Sequence, residues 1–176
     1  MVREISAGGV VIRKRNGAWW MAAIEPPTES ARQALRAKSG RSKSGKARSR
    51  HSSAWPKRVL ALPKGLVDPG EKPPATAFRE VYEETGITTE LVVKLADSKY
   101  VYTRTWGDGE RVFKIVSFYL MRYRSGRIND ITSAMRVEVA RARWVRLEDA
   151  AKQLAYGGEK QMARRALDYV NAHPEL

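Results

Sequence analysis

The sequence predicts a single α/β domain, and three observations carry that prediction. Strand-like alternation brackets one central helix, further strands follow it, and two helices close the chain. With 176 residues and 43% hydrophobic content, the chain has enough apolar side chains for one sizeable core. It holds no run of about 18 apolar residues, so no membrane-spanning helix is expected.

The first strand is expected over Val2 to Arg15, with Gly8 and Gly9 inside it. Glycines within a strand mark a bulge or a close approach of backbone or ligand. Asn16-Gly17 is a hairpin turn, and Trp19 to Glu25 is the returning strand, ended by Pro26-Pro27. Composition then changes abruptly. From Thr28 to Arg58 there are ten Lys or Arg against one Glu, which is nine of the chain's fourteen net positive charges. Residues 28–58 are therefore expected to be a basic low-complexity insertion into one domain of residues 1–176, in which Ser30 to Lys38 could form a short helix and Ser39 to Ser53 reads as a disordered loop. It is read as a solvated excursion; the alternative is an electrostatic tether for polyphosphate or RNA. His51 lies within it and is given no role.

Val59 to Leu62 is a short apolar strand leading into Pro63-Lys64-Gly65. A helix is expected from about Pro74 to Thr85, because Pro73 and Pro74 suit a helix start and Gly86 suits its left-handed end. Glu90 to Tyr102 is strand-like, Trp106 to Gly109 is a turn, and Arg111 to Arg124 is the longest strand. Apolar residues on both its faces predict that it is covered on both sides. Ala140 to Leu147 is a further strand; Glu148 to Ala155 and Glu159 to Asn171 are the closing helices.

Chemistry concentrates on the central helix. Glu80, Glu83 and Glu84 stand at i, i+3 and i+4, so three carboxylates crowd one face. Like charges at that spacing repel, and a hard divalent cation with oxygen ligands is the natural compensation. Zero cysteines exclude thiolate sites and disulfides and agree with a reducing, cytoplasmic setting, and two histidines argue against a His-rich zinc centre. No signal peptide is expected, because a strand pattern begins almost at once. A pI near 10.3 points to polyanionic partners.

Gly65, Glu71, Arg79-Glu80-Val81, Glu83-Glu84 and Gly86-Ile87 meet every position of the pattern G-x5-E-x7-R-E-U-x-E-E-x-G-U, with U apolar. A chance match in a chain of this length is on the order of one in ten million at average residue usage. The chain thus resembles the Nudix hydrolases over these 23 residues, and the order of elements extends the resemblance to most of the chain outside the insertion. The resemblance implies an α/β/α sandwich with a mixed β-sheet, in which the Gly8-Gly9 pair faces the substrate cleft. It implies an enzyme hydrolysing a nucleoside diphosphate linked to another moiety, with Mg²⁺ as cofactor and Mn²⁺ as the alternative. Glu83 and Glu84 are the implied leading metal ligands, Glu80 a further ligand or orienting base, and the Gly65 carbonyl an extra ligand. Arg79 and Glu71 are implied to be structural within the motif. The general base is open between a motif glutamate and Glu138 in the loop before the last strand. Lys64 is the first candidate for phosphate, with Arg104, Lys114 and Arg111 behind it. Tyr100, Tyr102, Trp106 and Tyr119 are candidates for stacking on a purine.

Leu-Pro-Lys-Gly before the motif, the strand FKIVSFYLMRY and the closing helices look like bacterial diadenosine polyphosphate hydrolases and their inositol-pyrophosphate-cleaving relatives. A dinucleoside polyphosphate such as diadenosine tetraphosphate is the leading substrate expectation. The alternatives are an oxidised nucleoside triphosphate, an inositol pyrophosphate and an RNA 5′ end; a non-catalytic nucleotide-sensing module is the remote one. No membrane partner is expected, and oligomeric state is not readable.

Overall fold

The computed structural model describes residues 1–28, 59–104 and 109–176. The expected basic insertion beyond Thr28, with its short helix and His51, and Trp106 with the start of its turn lie outside the described residues.

Among the described residues, six strands form one mixed sheet: β1 (Val2–Arg15), β2 (Ala18–Glu25), β3 (Lys64–Leu66), β4 (Ile87–Thr103), β5 (Arg111–Gly126) and β6 (Arg141–Arg146). The spatial order is β4-β5-β1-β2-β6. β1 and β5 run parallel, from Val2 beside Val112 to Ile12 beside Arg122, and the other pairings are antiparallel. On its other edge β1 is shared. Its last residues, Ile12 to Arg15, pair with β2 through the Asn16-Gly17 turn, where both residues have positive φ. Its middle, Ser6 to Gly8, pairs with β3.

Helix α1 (Pro73–Thr85) covers one face of the sheet, and α2 (Leu147–Gln153) with α3 (Gly157–Ala172) covers the other. Period-two alternation along β1 supplies both layers. Ala7 and Val11 pack with Ala77 and Val81 of α1, while Val10 and Ile12 join Leu147, Met162, Ala166 and Val170. β5 does the same, with Tyr119 and Met121 on the α1 side and Val116, Phe118 and Leu120 on the other. The α/β/α sandwich is thereby formed, and burial on both faces explains why β5 reads as nearly continuous apolar sequence.

Two local expectations change. Val59 to Leu62 forms isolated bridges, Ala61 with Ile24 and Leu60 with Leu154, and the strand falls at Lys64–Leu66. Gly8 and Gly9 face packed protein and not a cleft. A methyl on Gly8 would stand 2.5 Å from the Lys64 Cβ, and one on Gly9 would stand 2.8 Å from both Val81 and Met121. The pair marks a close approach of β1 to the segment before β3 and to α1.

α1 begins with both prolines in its first turn and ends at Gly86, whose φ of 80° is the left-handed conformation that a Cβ disfavours. The Gly86 N–H donates to the Tyr82 carbonyl at 2.8 Å. A side chain there would also run into the Asp130 carbonyl. No helix among the described residues is long and apolar enough to cross a membrane.

Candidate active site

Burial sorts the three glutamates of α1. Glu84 is 5% exposed, Glu80 is buried, and the Glu83 side chain is 39% exposed. Glu84 Oε2 accepts the Lys64 backbone N–H at 2.8 Å, which ties the helix to the first residue of β3. Burial pushes its carboxyl up to about 8, against the smaller opposing pull of Lys64. Glu80 is also raised by burial, although Arg79 works against the shift. Its carboxylate fills the space that a side chain on Gly65 would need.

Arg79 organises the motif. Its Nε donates to Glu71 Oε1 at 3.0 Å and its Nη2 to Glu71 Oε2 at 2.9 Å, a bidentate pair. Nη1 reaches Glu80 at 2.7 Å and Glu83 at 3.2 Å, and Nη2 also reaches the Leu66 carbonyl at 3.0 Å. Glu71 additionally accepts the Thr76 hydroxyl at 2.6 Å. Arg79 and Thr76 hold the Glu71 carboxyl down at about 2, and Glu71 in turn raises the Arg79 guanidinium above its usual value.

Glu138 follows a single 3₁₀ turn, Met135–Val137, and its charge acts on both Glu80 and Glu84, raising them further. The loop that carries it is pinned to the end of α1. Asn129 donates its N–H to the Thr85 carbonyl at 2.8 Å, and its side-chain oxygen accepts Arg136 Nη1 at 3.0 Å and the Ala142 N–H at 2.9 Å.

A divalent metal ion would meet hard oxygen donors here. Among the described residues no three acidic or histidine side chains converge on one point in ligating geometry. The donor chemistry nonetheless fits, because Glu80 and Glu84 are carboxylates whose charged form is disfavoured by burial and would be stabilised by a cation. The missing side chain at Gly65 opens the backbone directly onto Glu80. Arg79 engages Oε1 of Glu80 and Oε2 of Glu83, and each carboxylate has a second oxygen that could face a metal ion.

Of the candidate substrate residues, Lys64 adjoins this site through its amide, and the others lie elsewhere on the sheet. Lys64 is not a free point charge: its Nζ stands 2.8 Å from Glu159 Oε1, and Glu159, with Glu84 and Tyr100, more than offsets the lowering that burial alone would give the ammonium. Tyr102, Arg104 and Lys114 converge on Glu4, at 3.0, 3.1 and 3.6 Å. Arg104 and Lys114 are thus ion-paired with Glu4, and Tyr102 donates its hydroxyl to the same carboxylate. Tyr119 is 6% exposed inside the α1-side core and cannot offer a face to a base. Tyr100 is 43% exposed and close enough to feel Lys64 and Tyr156. Glu4, Glu159 and Tyr156 carried no sequence signal, since the partners of the two acids lie about a hundred positions away.

Residues 38–166 match the NUDIX domain. The chain belongs to the Nudix hydrolase family, whose members cleave pyrophosphate bonds with the help of a divalent metal ion. It is 33% identical over 170 residues to a putative mutator protein, MutT4, of Mycobacterium tuberculosis, an alignment covering 97% of this chain and 57% of that protein. It is 35% identical over 95 residues to Nudix hydrolase 10 of Arabidopsis thaliana, covering 54% of this chain and 31% of that one. The chain therefore spans about half or less of the length of these relatives. In fold it is similar to the Ap4A hydrolase of C. elegans in a binary complex, with a TM-score of 0.61 and 22% identity over 96% of this chain and 98% of the other. It is also similar to the NUDIX domain of Shewanella oneidensis NrtR with ADP ribose, with a TM-score of 0.58 and 14% identity over 97% and 90%.

Proposed function

We propose that this protein is a metal-dependent hydrolase that cleaves a pyrophosphate linkage in a nucleoside polyphosphate, with diadenosine tetraphosphate or a related dinucleoside polyphosphate as substrate. The observation that carries this reading is Glu84, a buried carboxyl raised to about 8 beside Glu80 and the bare backbone of Gly65. Such a desolvated acid is costly to the fold and is relieved by a cation.

Glu80, Glu83 and Glu84, with the Gly65 carbonyl, would hold Mg²⁺, and Mn²⁺ would fit the same donors. The metal supplies charge neutralisation on phosphate oxygens and a more acidic bound water. Arg79 holds one oxygen each of Glu80 and Glu83 and so orients both carboxylates. Glu138, whose charge already acts on Glu80 and Glu84, is the residue we assign to take the proton from the attacking water. Tyr100, 43% exposed, and Tyr156, 55% exposed with the Lys64 Nζ 5.9 Å from its ring centre, offer ring faces to a purine.

Hydrolysis assays with Mg²⁺ test the proposal. ATP plus AMP from diadenosine tetraphosphate, lost in Glu84→Gln, is the expected result. A second reading, removal of pyrophosphate from oxidised nucleoside triphosphates, is favoured by the similarity to a putative mutator protein. Monophosphate plus pyrophosphate from such a substrate, without turnover of the dinucleotide, would establish it instead.

A further inference from the structure

Glu159 is a buried acid that the proposed chemistry leaves unused. It stands in the first turn of α3, is 3% exposed, and lies on the opposite side of the sheet from α1. Both its oxygens are engaged. Oε2 accepts the Leu62 N–H at 2.8 Å, and Oε1 holds the Lys64 ammonium at 2.8 Å. The two partners flank Pro63, so one carboxylate clamps the turn entering β3 from both ends. The Pro63 carbonyl accepts the Gly9 N–H at 3.2 Å, which fixes the same turn to β1. From this turn the Lys64 N–H reaches through to Glu84.

We propose that Glu159 is a positioning residue for the metal-binding carboxylates: by holding Leu62 and Lys64 it sets the Lys64 amide that fixes Glu84. The inference rests on the hydrolase reading for its kinetic consequence and on the hydrogen bonds alone for its structural one. A carboxylate that served only to satisfy a buried N–H would be replaced without loss by an amide oxygen. Glu159→Gln keeps the acceptor for Leu62 and removes the charge that holds Lys64, so it separates the two roles.

The test compares wild type, Glu159→Gln and Glu159→Ala in three measurements: hydrogen exchange at the Lys64 amide, Mn²⁺ affinity by electron paramagnetic resonance, and the kcat and KM of hydrolysis. Thermal melting identifies any variant that has lost the fold. In the folded Gln variant the Lys64 amide exchanges faster. Mn²⁺ affinity and kcat each fall by about ten-fold, as for outer partners of metal ligands, with a smaller change in KM. A Gln variant equal to wild type in exchange, Mn²⁺ affinity and kcat overturns the proposal. Should wild type hydrolyse none of the nucleotides, the hydrolase reading fails by itself, and the amide exchange and Mn²⁺ affinity still decide the role of Glu159.

Discussion

The Glu80 carboxylate stands where a side chain on Gly65 would have to be. The motif glycine thus gives β3 and α1 their close approach and brings the β3 backbone up against the buried Glu80.

Gly65→Ala is therefore expected to displace Glu80 while leaving the helix itself intact. Turnover should drop by at least about a hundred-fold, since catalytic geometry tolerates little displacement. Circular dichroism should remain close to wild type. Kinetics and a helical spectrum measured on the same sample check both halves.

Glu84 predicts a proton linkage. Its folded-state value, about 8, lies above the ordinary 4.5, so its protonated form stabilises the metal-free fold. That contribution is complete below about 4.5 and is lost as pH rises through about 8. Metal-free protein should melt at falling temperature across this window, and Glu84→Gln should flatten the slope. Binding of Mg²⁺ should release protons near pH 7, measurable by calorimetry in buffers of different ionisation enthalpy.

Glu71 behaves in the opposite sense. Held at about 2 by Arg79 and Thr76, it favours the fold above about 4.5, and that support is lost as pH falls toward 2. Arg79→Ala should return the Glu71 carboxyl toward its ordinary range, read by carbon-detected NMR titration. The same change unties Glu80 and Glu83, and activity should fall by about ten-fold or more.

Gly86→Ala tests the helix end. A left-handed φ of 80° and the Asp130 carbonyl in the path of a Cβ both oppose the methyl. Stability should fall by about 1 kcal/mol or more, seen as an earlier denaturant midpoint with an unchanged slope.

The limits of α1 were legible because they are set locally, by Pro73, Pro74 and Gly86, and the long strands announced themselves through alternation. β3 was not, for Lys64-Gly65-Leu66 has no pattern of its own and is a strand only because Ser6 to Gly8 lie beside it. The spacing of Glu80, Glu83 and Glu84 put the acids on one face, but it could not tell the exposed Glu83 from the buried Glu84; depth is a property of the sheet beneath. Lys64, Arg104 and Lys114 read as open cations because their acids, Glu159 and Glu4, are remote in sequence. Tyr119 looked available for stacking until its face of β5 was covered by α1.

The parallel pairing of β1 with β5 also governs the order of assembly. Val2 waits for Val112, and Ala7, which lies under α1, waits for Ser117. The helix bearing the acidic motif is complete some thirty residues before β5 supplies Tyr119 and Met121 to its floor. Such distant pairing must be closed before it is rewarded, which makes folding slow for a chain of this size. A nascent chain halted ahead of β5 would lay its acidic helix on β1 to β3 alone, without Tyr119 and Met121, so the complete floor beneath the acids arrives late in synthesis, with the second half of the chain.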